Sequence, residues 1–442
     1  MTVAEAAAPT SATKKPNLFT VILASSAGTA IEWYDFSLFG LNLVLLTSLF
    51  IPAQEQSIGL LFTLALHGTG FVVRPLGALI FGRLGDRLGR KRTFLVTLVM
   101  MGCTTMMIGL LPTYATAGLL APALLAALRL AQGLALGGEY GGAGLYVAEH
   151  SPPHRRGYYT SFMQATAASG LLFALATMLT LQLLLGPEDY RAWGWRVPFL
   201  LSGVLLAVSV YIRLRLSESP VFEGLRDRGE IAKSPIRDSF MDPENRRRMF
   251  GAIFGACAGQ GVTFHTAQFL VLTLLLTWKK LSFLEATLAV AAAQLLTTPC
   301  YIFFGHLSDR IGRKKLMVWG AVGGCVTFLP IFIGIDWAAE HGNVHWVALI
   351  ALLSLGMLWT TVSYAPTAAY LTELFPARIR YTSISVSLNV GAGVFGGMSP
   401  LIAGVLVERT GQPLMALAYP IGMCAVSALL GQLLLRETLP PH

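Results

Sequence analysis

The ten residues Gly82-Arg83-Leu84-Gly85-Asp86-Arg87-Leu88-Gly89-Arg90-Lys91 return, little altered, as Gly305-His306-Leu307-Ser308-Asp309-Arg310-Ile311-Gly312-Arg313-Lys314, half a chain length further on. Self-similarity at that distance marks an internal duplication. Each copy lies between two long apolar runs, so each reads as a short, basic, glycine-bearing turn joining consecutive membrane helices.

Composition says the same of the rest of the chain. Of 442 residues, 54% are hydrophobic and 12% charged, and the mean hydropathy is +0.63, which excludes a soluble globular domain of this length. Runs of about 20 apolar residues place twelve spans at roughly 19–47, 57–82, 93–111, 119–146, 157–185, 197–216, 250–276, 283–305, 316–335, 345–368, 382–407 and 413–435. The runs are continuous rather than alternating with period two, which excludes a transmembrane β-barrel.

A net charge of +9 would suggest nucleic acid as partner in a soluble chain, but here placement gives it another meaning. About 25 of the 32 Lys and Arg fall on one face: Lys14, Lys15, the first turn, Arg155, Arg156, the 213–248 segment, the second turn, Arg378, Arg380 and Arg436. That bias makes this face and both termini cytoplasmic, in a cell inner membrane, with no nucleic acid involved. Residues 1–17 lack the pattern of a removable signal, so the first apolar run is expected to remain as span 1. All five cysteines lie in apolar spans, with neither a disulfide framework nor metal-ligand spacing, and no cofactor is implied.

The fold class is thus all-α integral membrane: a tail at 1–18, a six-helix bundle at 19–216, a polar cytoplasmic linker at 217–249, a second bundle at 250–435 and a tail at 436–442. The halves repeat beyond the turns, since Tyr146-Val147-Ala148-Glu149 through Arg156 parallels Tyr370-Leu371-Thr372-Glu373 through Arg380. An even number of spans per half makes the copies parallel repeats, with the substrate site at the midplane between them.

Ionisable residues inside spans are costly, at least about 2.5–3.5 kcal/mol each on insertion scales, so each needs a partner, a water-filled cavity or a function. Glu32 and Asp35 in span 1, Arg74 in span 2 and Arg129 in span 4 stand out. They could neutralise one another. Alternatively, Asp35 takes and releases a transported proton while Arg129 alternately pairs with it and leaves it, Glu32 standing one helical turn away.

The strings Gly28-Thr29-Ala30-Ile31-Glu32-Trp33-Tyr34-Asp35-Phe36, Gly70-Phe71-Val72-Val73-Arg74-Pro75, Arg129-Leu130-Ala131-Gln132-Gly133 through Gly138-Glu139-Tyr140-Gly141-Gly142, Glu218-Ser219-Pro220-Val221-Phe222 and Glu373-Leu374-Phe375-Pro376-Ala377-Arg378 occur in that order. Together with the turns, the ordered set resembles the metabolite:H+ symporter family of the major facilitator superfamily over essentially the whole chain. The resemblance implies the major facilitator fold and proton-coupled movement of small metabolites, whether carboxylates, shikimate or zwitterions such as proline and betaine. It also implies that Asp35 and Arg129 occupy the proton site of the related sugar/H+ symporters. The turns are implied to latch the outward-facing state through Asp86, Arg87 and Arg90 with Glu149 and Arg156, and through Asp309, Arg310, Arg313, Glu373 and Arg380. Plain positive-inside anchoring accounts better for Arg92, Lys314 and Lys315.

For substrate, Arg74 suits a carboxylate because a planar guanidinium binds one bidentately, although pairing with Glu32 would make it structural. Gln164 in span 5 and Gln260, His265 and Gln268 in span 7 are polar groups in apolar runs, with Gln260 and Gln268 nearly on one face. Asn389 in span 11 departs from the aromatic-polar pair usual in the family, and Glu139 is divided between helix packing and a gate.

A drug/H+ antiporter is disfavoured because Thr160 to Leu179 holds no proline and a single glycine, Gly170. An enzyme is disfavoured because no catalytic grouping or phosphate loop is present at membrane depth. The expectation is a monomeric, proton-coupled importer of a small organic anion such as a di- or tricarboxylate or a shikimate-like acid, working by alternating access in the lipid bilayer. A proline- or betaine-type osmolyte importer and an uncoupled facilitator are the alternatives.

Overall fold

The structure, a computed structural model, describes residues 18–51, 68–214, 218–340 and 343–439. The amino-terminal tail with Lys14 and Lys15, the first part of the second predicted span and the last residues of the carboxyl tail lie outside the described residues.

The apolar runs fold as helices because in hydrocarbon each backbone N–H and C=O must find its partner within the segment. The first set is α1 (Leu18–Leu41), α2 (Arg74–Leu88), α3 (Arg90–Leu110), α4 (Leu120–His150), α5 (Arg156–Asp189) and α6 (Arg196–Leu214). The second is α7 (Pro243–Thr277), α8 (Phe283–Ile311), α9 (Arg313–Ala338), α10 (Trp346–Leu374), α11 (Ala377–Thr410) and α12 (Pro413–Leu434). Among the described residues ten helices are long and apolar enough to cross a membrane, and α1 and α2 bring the set to twelve. Several overrun the predicted spans. The 31 residues of α4 reach about 46 Å, well past a hydrocarbon layer of about 30 Å.

The segment read as a linker folds as three short helices, Pro220–Asp227, Pro235–Met241 and Pro243–Phe250, the last continuous with α7. Each opens on a proline, and two carry working caps: the Ser219 hydroxyl accepts from Phe222 N and the Asp242 carboxylate from Glu244 N. Between α9 and α10, where only a connection was predicted, β1 (Ala339–Glu340) and β2 (Asn343–Val344) pair antiparallel.

Within the first half α1 packs on α5, and α3 on α4 and α6, around buried Tyr34, Phe39, Trp195 and Phe199. The second half closes around Leu275, Ile335, Leu349 and Leu417. The halves meet along α2–α11 and α5–α8, a symmetric pair of contacts. A cluster with Ala78, Leu145, Tyr370 and Tyr381 crosses between them toward the basic end. Helices α7 and α11 each contain more loosely wound turns with i→i+5 bonding, Gly251–Cys257 and Thr266–Leu270 in α7 and Asn389–Gly396 in α11, a feature frequent at functional sites.

Candidate substrate and coupling site

Between the halves, α1, α2, α4, α7, α10 and α11 line a cavity. Its walls are largely aromatic: Trp33 lies edge-on to Phe36 at 5.6 Å between ring centroids and meets Phe264 at 5.4 Å, with Tyr364 nearby. Against these surfaces stand a few polar groups, the usual make-up of a small-molecule site.

Arg74 is the principal one. Its guanidinium carbon sits 4.2 Å from the Phe71 ring centroid and 4.9 Å from that of Phe36, and its Nε has no hydrogen-bond partner. Pairing with Glu32, the structural alternative, does not occur, because Glu32 Oε1 accepts from Arg213 Nη2 at 2.5 Å. Arg213 belongs to the segment assigned to surface charge, yet it is 1% exposed and stacks on Phe94, 3.3 Å from the ring centroid. It enters space that Gly28 leaves open, where any side chain on residue 28 would collide with the guanidinium. The signal was present as an arginine inside the apolar run 197–216, masked by its place beside a basic linker.

The expected pairing of Asp35 with Arg129 is absent in this conformation. Asp35 is buried with its Oδ1 unpartnered, whereas Arg129 Nη1 donates to Gln132 Oε1 at 2.7 Å and its guanidinium carbon lies 3.9 Å from the Phe39 ring centroid. Gln132 in turn donates to Thr105 Oγ1 at 2.8 Å, so a helical neighbour three residues away and an aromatic face hold the arginine instead.

Of the polar residues expected to contact substrate, Gln260, His265 and Asn389 line the cavity with Arg74. His265 Nδ1 lies 2.8 Å from Gly261 O, and its Nε2 is unpartnered. Asn389 is largely spent on packing, since its amide donates to Gly137 O of α4 and Ser385 O of α11, each at 2.8 Å. Gln268 does not share the face of Gln260. It donates to Gln294 at 2.8 Å and lines a smaller adjoining pocket, because the loosely wound turn Thr266–Leu270 breaks the 3.6-residue period on which the expectation rested. Gln164 is buried in α5 outside the cavity lining.

At the basic end the two signature turns are crossed. Asp86, at the end of α2, accepts from the amides of Tyr381 and Thr382 at 3.1 and 2.9 Å and from the Thr382 hydroxyl at 2.8 Å, all in α11 of the other half. Asp309, at the end of α8, accepts from the amides of Gly157 and Tyr158 at 2.9 and 2.8 Å, at the start of α5. Each aspartate thus caps the positive end of a helix across the interface. Four residues on, Arg90 and Arg313 pair back to Asp86 and Asp309 at 3.3 and 2.6 Å. Glu149 receives Arg380 at 2.9 Å, with Arg90 at 3.7 Å, and Glu373 receives Arg313 at 3.3 Å, with Arg156 at 4.0 Å. Arg87 and Arg310, expected in this gate, point outward and make none of these contacts, because one residue on from an inward aspartate faces away from it.

Two further carboxylates complete this network and were assigned no role from sequence. Glu218 accepts from the amides of Arg90 and Lys91 at 3.0 and 3.1 Å, and Glu437 from those of Arg313 and Lys314 at 2.8 and 3.3 Å. Gly89 and Gly312, at φ +109° and +107°, provide both the left-handed turn and the room those carboxylates occupy. The signal was a third internal repeat: Glu218 follows α6 as Glu437 follows α12.

Crossed turns, parallel halves and a central cavity between them have the make-up of a membrane transporter. Residues 20–255 match the family model of sugar (and other) transporters, and residues 266–442 that of the major facilitator superfamily. The chain is 36% identical to the inner membrane metabolite transport protein YhjE of Escherichia coli, covering 95% of this chain and 94% of that protein. It is 33% identical to the shikimate transporter of E. coli, covering 92% of each, and 31% identical to the proline/betaine transporter of Salmonella typhimurium, covering 94% of this chain and 83% of that one. The solved proton:xylose symporter XylE superposes with a TM-score of 0.76 at 17% identity, over 95% of this chain and 96% of that one, a likeness of fold. The chain belongs to the metabolite:H+ symporter family of the major facilitator superfamily.

Proposed function

We propose that this transporter is a symporter that imports a small organic acid, of the di- or tricarboxylate or shikimate-like kind, together with protons. The observation that carries the reading is Arg74: a cavity-facing guanidinium with no acid paired to it among the described residues, held between two aromatic rings. A substrate carboxylate supplies the missing counter-charge, and the apolar surroundings strengthen that contact. Gln260 and the unpartnered His265 Nε2 supply further polar contacts. Asp35 and Arg129, apart here, act as the switching pair, with Asp35 taking the proton and Arg129 moving from Gln132 to the carboxylate once it is deprotonated. The positive-inside bias supports placing the latched end and both termini in the cytoplasm, so that the latch belongs to the outward-facing side of the cycle. The transporter acts as a monomer in the inner membrane.

The aromatic lining favours a second reading, since Trp33, Phe264 and Tyr364 offer faces on which the quaternary ammonium of a betaine would rest.

Proteoliposomes loaded with a pH-sensitive dye test both. Shikimate, oxoglutarate or citrate is expected to drive proton entry that Arg74→Ala abolishes and Asp35→Asn uncouples. A response to betaine or proline alone overturns the acid reading, and substrate entry without protons overturns symport.

A further inference from the structure

The mechanism above leaves one buried acid unused. Glu139 on α4 is 0% exposed, and neither of its carboxyl oxygens has a hydrogen-bond partner. Its charged neighbours are Glu32 and Asp35 from α1 and Arg213 from α6; Arg74 of α2 and His265 of α7 line the same cavity, and Tyr381 approaches from α11. Nearby donors are committed elsewhere: the Tyr381 hydroxyl donates to Gly138 O at 2.7 Å, and the Asn389 amide to Gly137 O and Ser385 O. Glu139 and Glu32 therefore share Arg213 as a neighbour, and that arginine is spent on Glu32. Two neighbouring carboxyls in an apolar setting do not both ionise, and the donor that satisfies an otherwise orphaned carboxyl pair is a proton on one of its own members.

We propose that Glu139 and Glu32 form a carboxyl–carboxylate pair holding one exchangeable proton at the edge of the substrate cavity, with Arg213 balancing the ionised member. Binding adds a proton to a carboxylate oxygen of the pair, and release returns it to water. Tyr381 controls the release path. Its backbone amide is held by Asp86 in the latch while its hydroxyl seals the Gly138 carbonyl beside Glu139, so opening the latch withdraws Tyr381 and admits water to the pair from the basic end. This inference rests on the symport reading for its use in transport, but the proton-holding pair itself is measurable without transport.

The test is infrared titration of the full-length protein in proteoliposomes, with side-chain carboxyls of either glutamate or aspartate labelled with carbon-13. A protonated-carboxyl band at neutral pH that shifts on glutamate labelling, survives Asp35→Asn and disappears in Glu139→Gln is expected. Accumulation of shikimate or oxoglutarate driven by a pH gradient is expected to fall at least tenfold in Glu139→Gln. Where that variant does not fold, Glu32→Gln removes the other member, and the labelling of the wild type still reads the pair. A band that shifts only on aspartate labelling, or a Glu139→Gln variant with the wild-type band and pH profile, overturns the proposal. Wild type that shows the glutamate band but couples no proton to any substrate overturns symport and leaves the pair standing.

Discussion

The basic end and the central cavity use the same residue types in opposite ways. In the latch, Asp86 has donors from two backbone amides, a hydroxyl and Arg90, and Glu149 has Arg380, Arg90 and the hydroxyl of Ser219. In the cavity Glu139 has no donor and Arg74 faces open space with aromatic rings for company, and nearby Asp35 has a bare oxygen. A buried charge whose valences are filled holds one arrangement, whereas one left unfilled is poised to bind something that arrives. Position along the membrane normal thus separates holding from working.

The largest break in that contrast is expected from Arg213→Ala. It converts the one satisfied acid of the cavity, Glu32, into an uncompensated buried charge, at a cost of about 3–5 kcal/mol, visible as loss of folded protein in thermal-shift chromatography. If Arg213→Ala matches wild type in melting temperature, the pair is not structural.

Asp86→Ala comes next. It strips the cap from α11 and leaves Arg90 with only its longer ion pair to Glu149, a loss of about 2–4 kcal/mol from the latched state. Electron–electron distance measurements between spin labels at the exposed positions Arg83 and Arg378 should show a second, longer population; an unchanged distribution would mean that the latch does not set the resting state. Asp309→Ala, its counterpart, should act in the same direction. Gly89→Ala is smaller, about 1–3 kcal/mol, because φ +109° is strained for alanine and the new methyl displaces Glu218. The same label pair reads it. Smallest is Arg87→Ala, which should leave both distances and transport at wild-type values, since that side chain is exposed and outside the network. A marked effect there would extend the latch to residues the geometry leaves out.

The residues of the crossed turns were legible because repeated motifs announce paired turns: Asp86, Arg90, Asp309 and Arg313 stand out on comparing the chain with itself, whereas their latching role was implied by the family resemblance. Glu218, quoted only as part of a family string, and Glu437 were given no role although they obey the same symmetry, because each stands outside the conspicuous repeat. The spans were legible from hydropathy, but their ends were not, since a helix such as α4 continues into water after its apolar run is over. In the cavity, composition identified which groups are costly but not their partners. Glu32 and Arg213 lie on helices five spans apart in sequence, and no local pattern links them. The relation of Gln260 to Gln268 failed for a different reason: a periodic rule was applied across a turn that does not keep the period.

The crossing of the two turns bears on what unlatching costs. Glu218 and Glu437 each cap a helix of their own half, so they stay in place when the halves part. Asp86 and Asp309 each cap a helix of the opposite half, so both caps are lost in the same movement. The amides at the starts of α5 and α11 then need another acceptor, and water is the one at hand. On the alternating-access reading proposed above, opening at the basic end is a hydration step as much as a mechanical one, its two end states differing in whether carboxylate or solvent answers the same two helix termini.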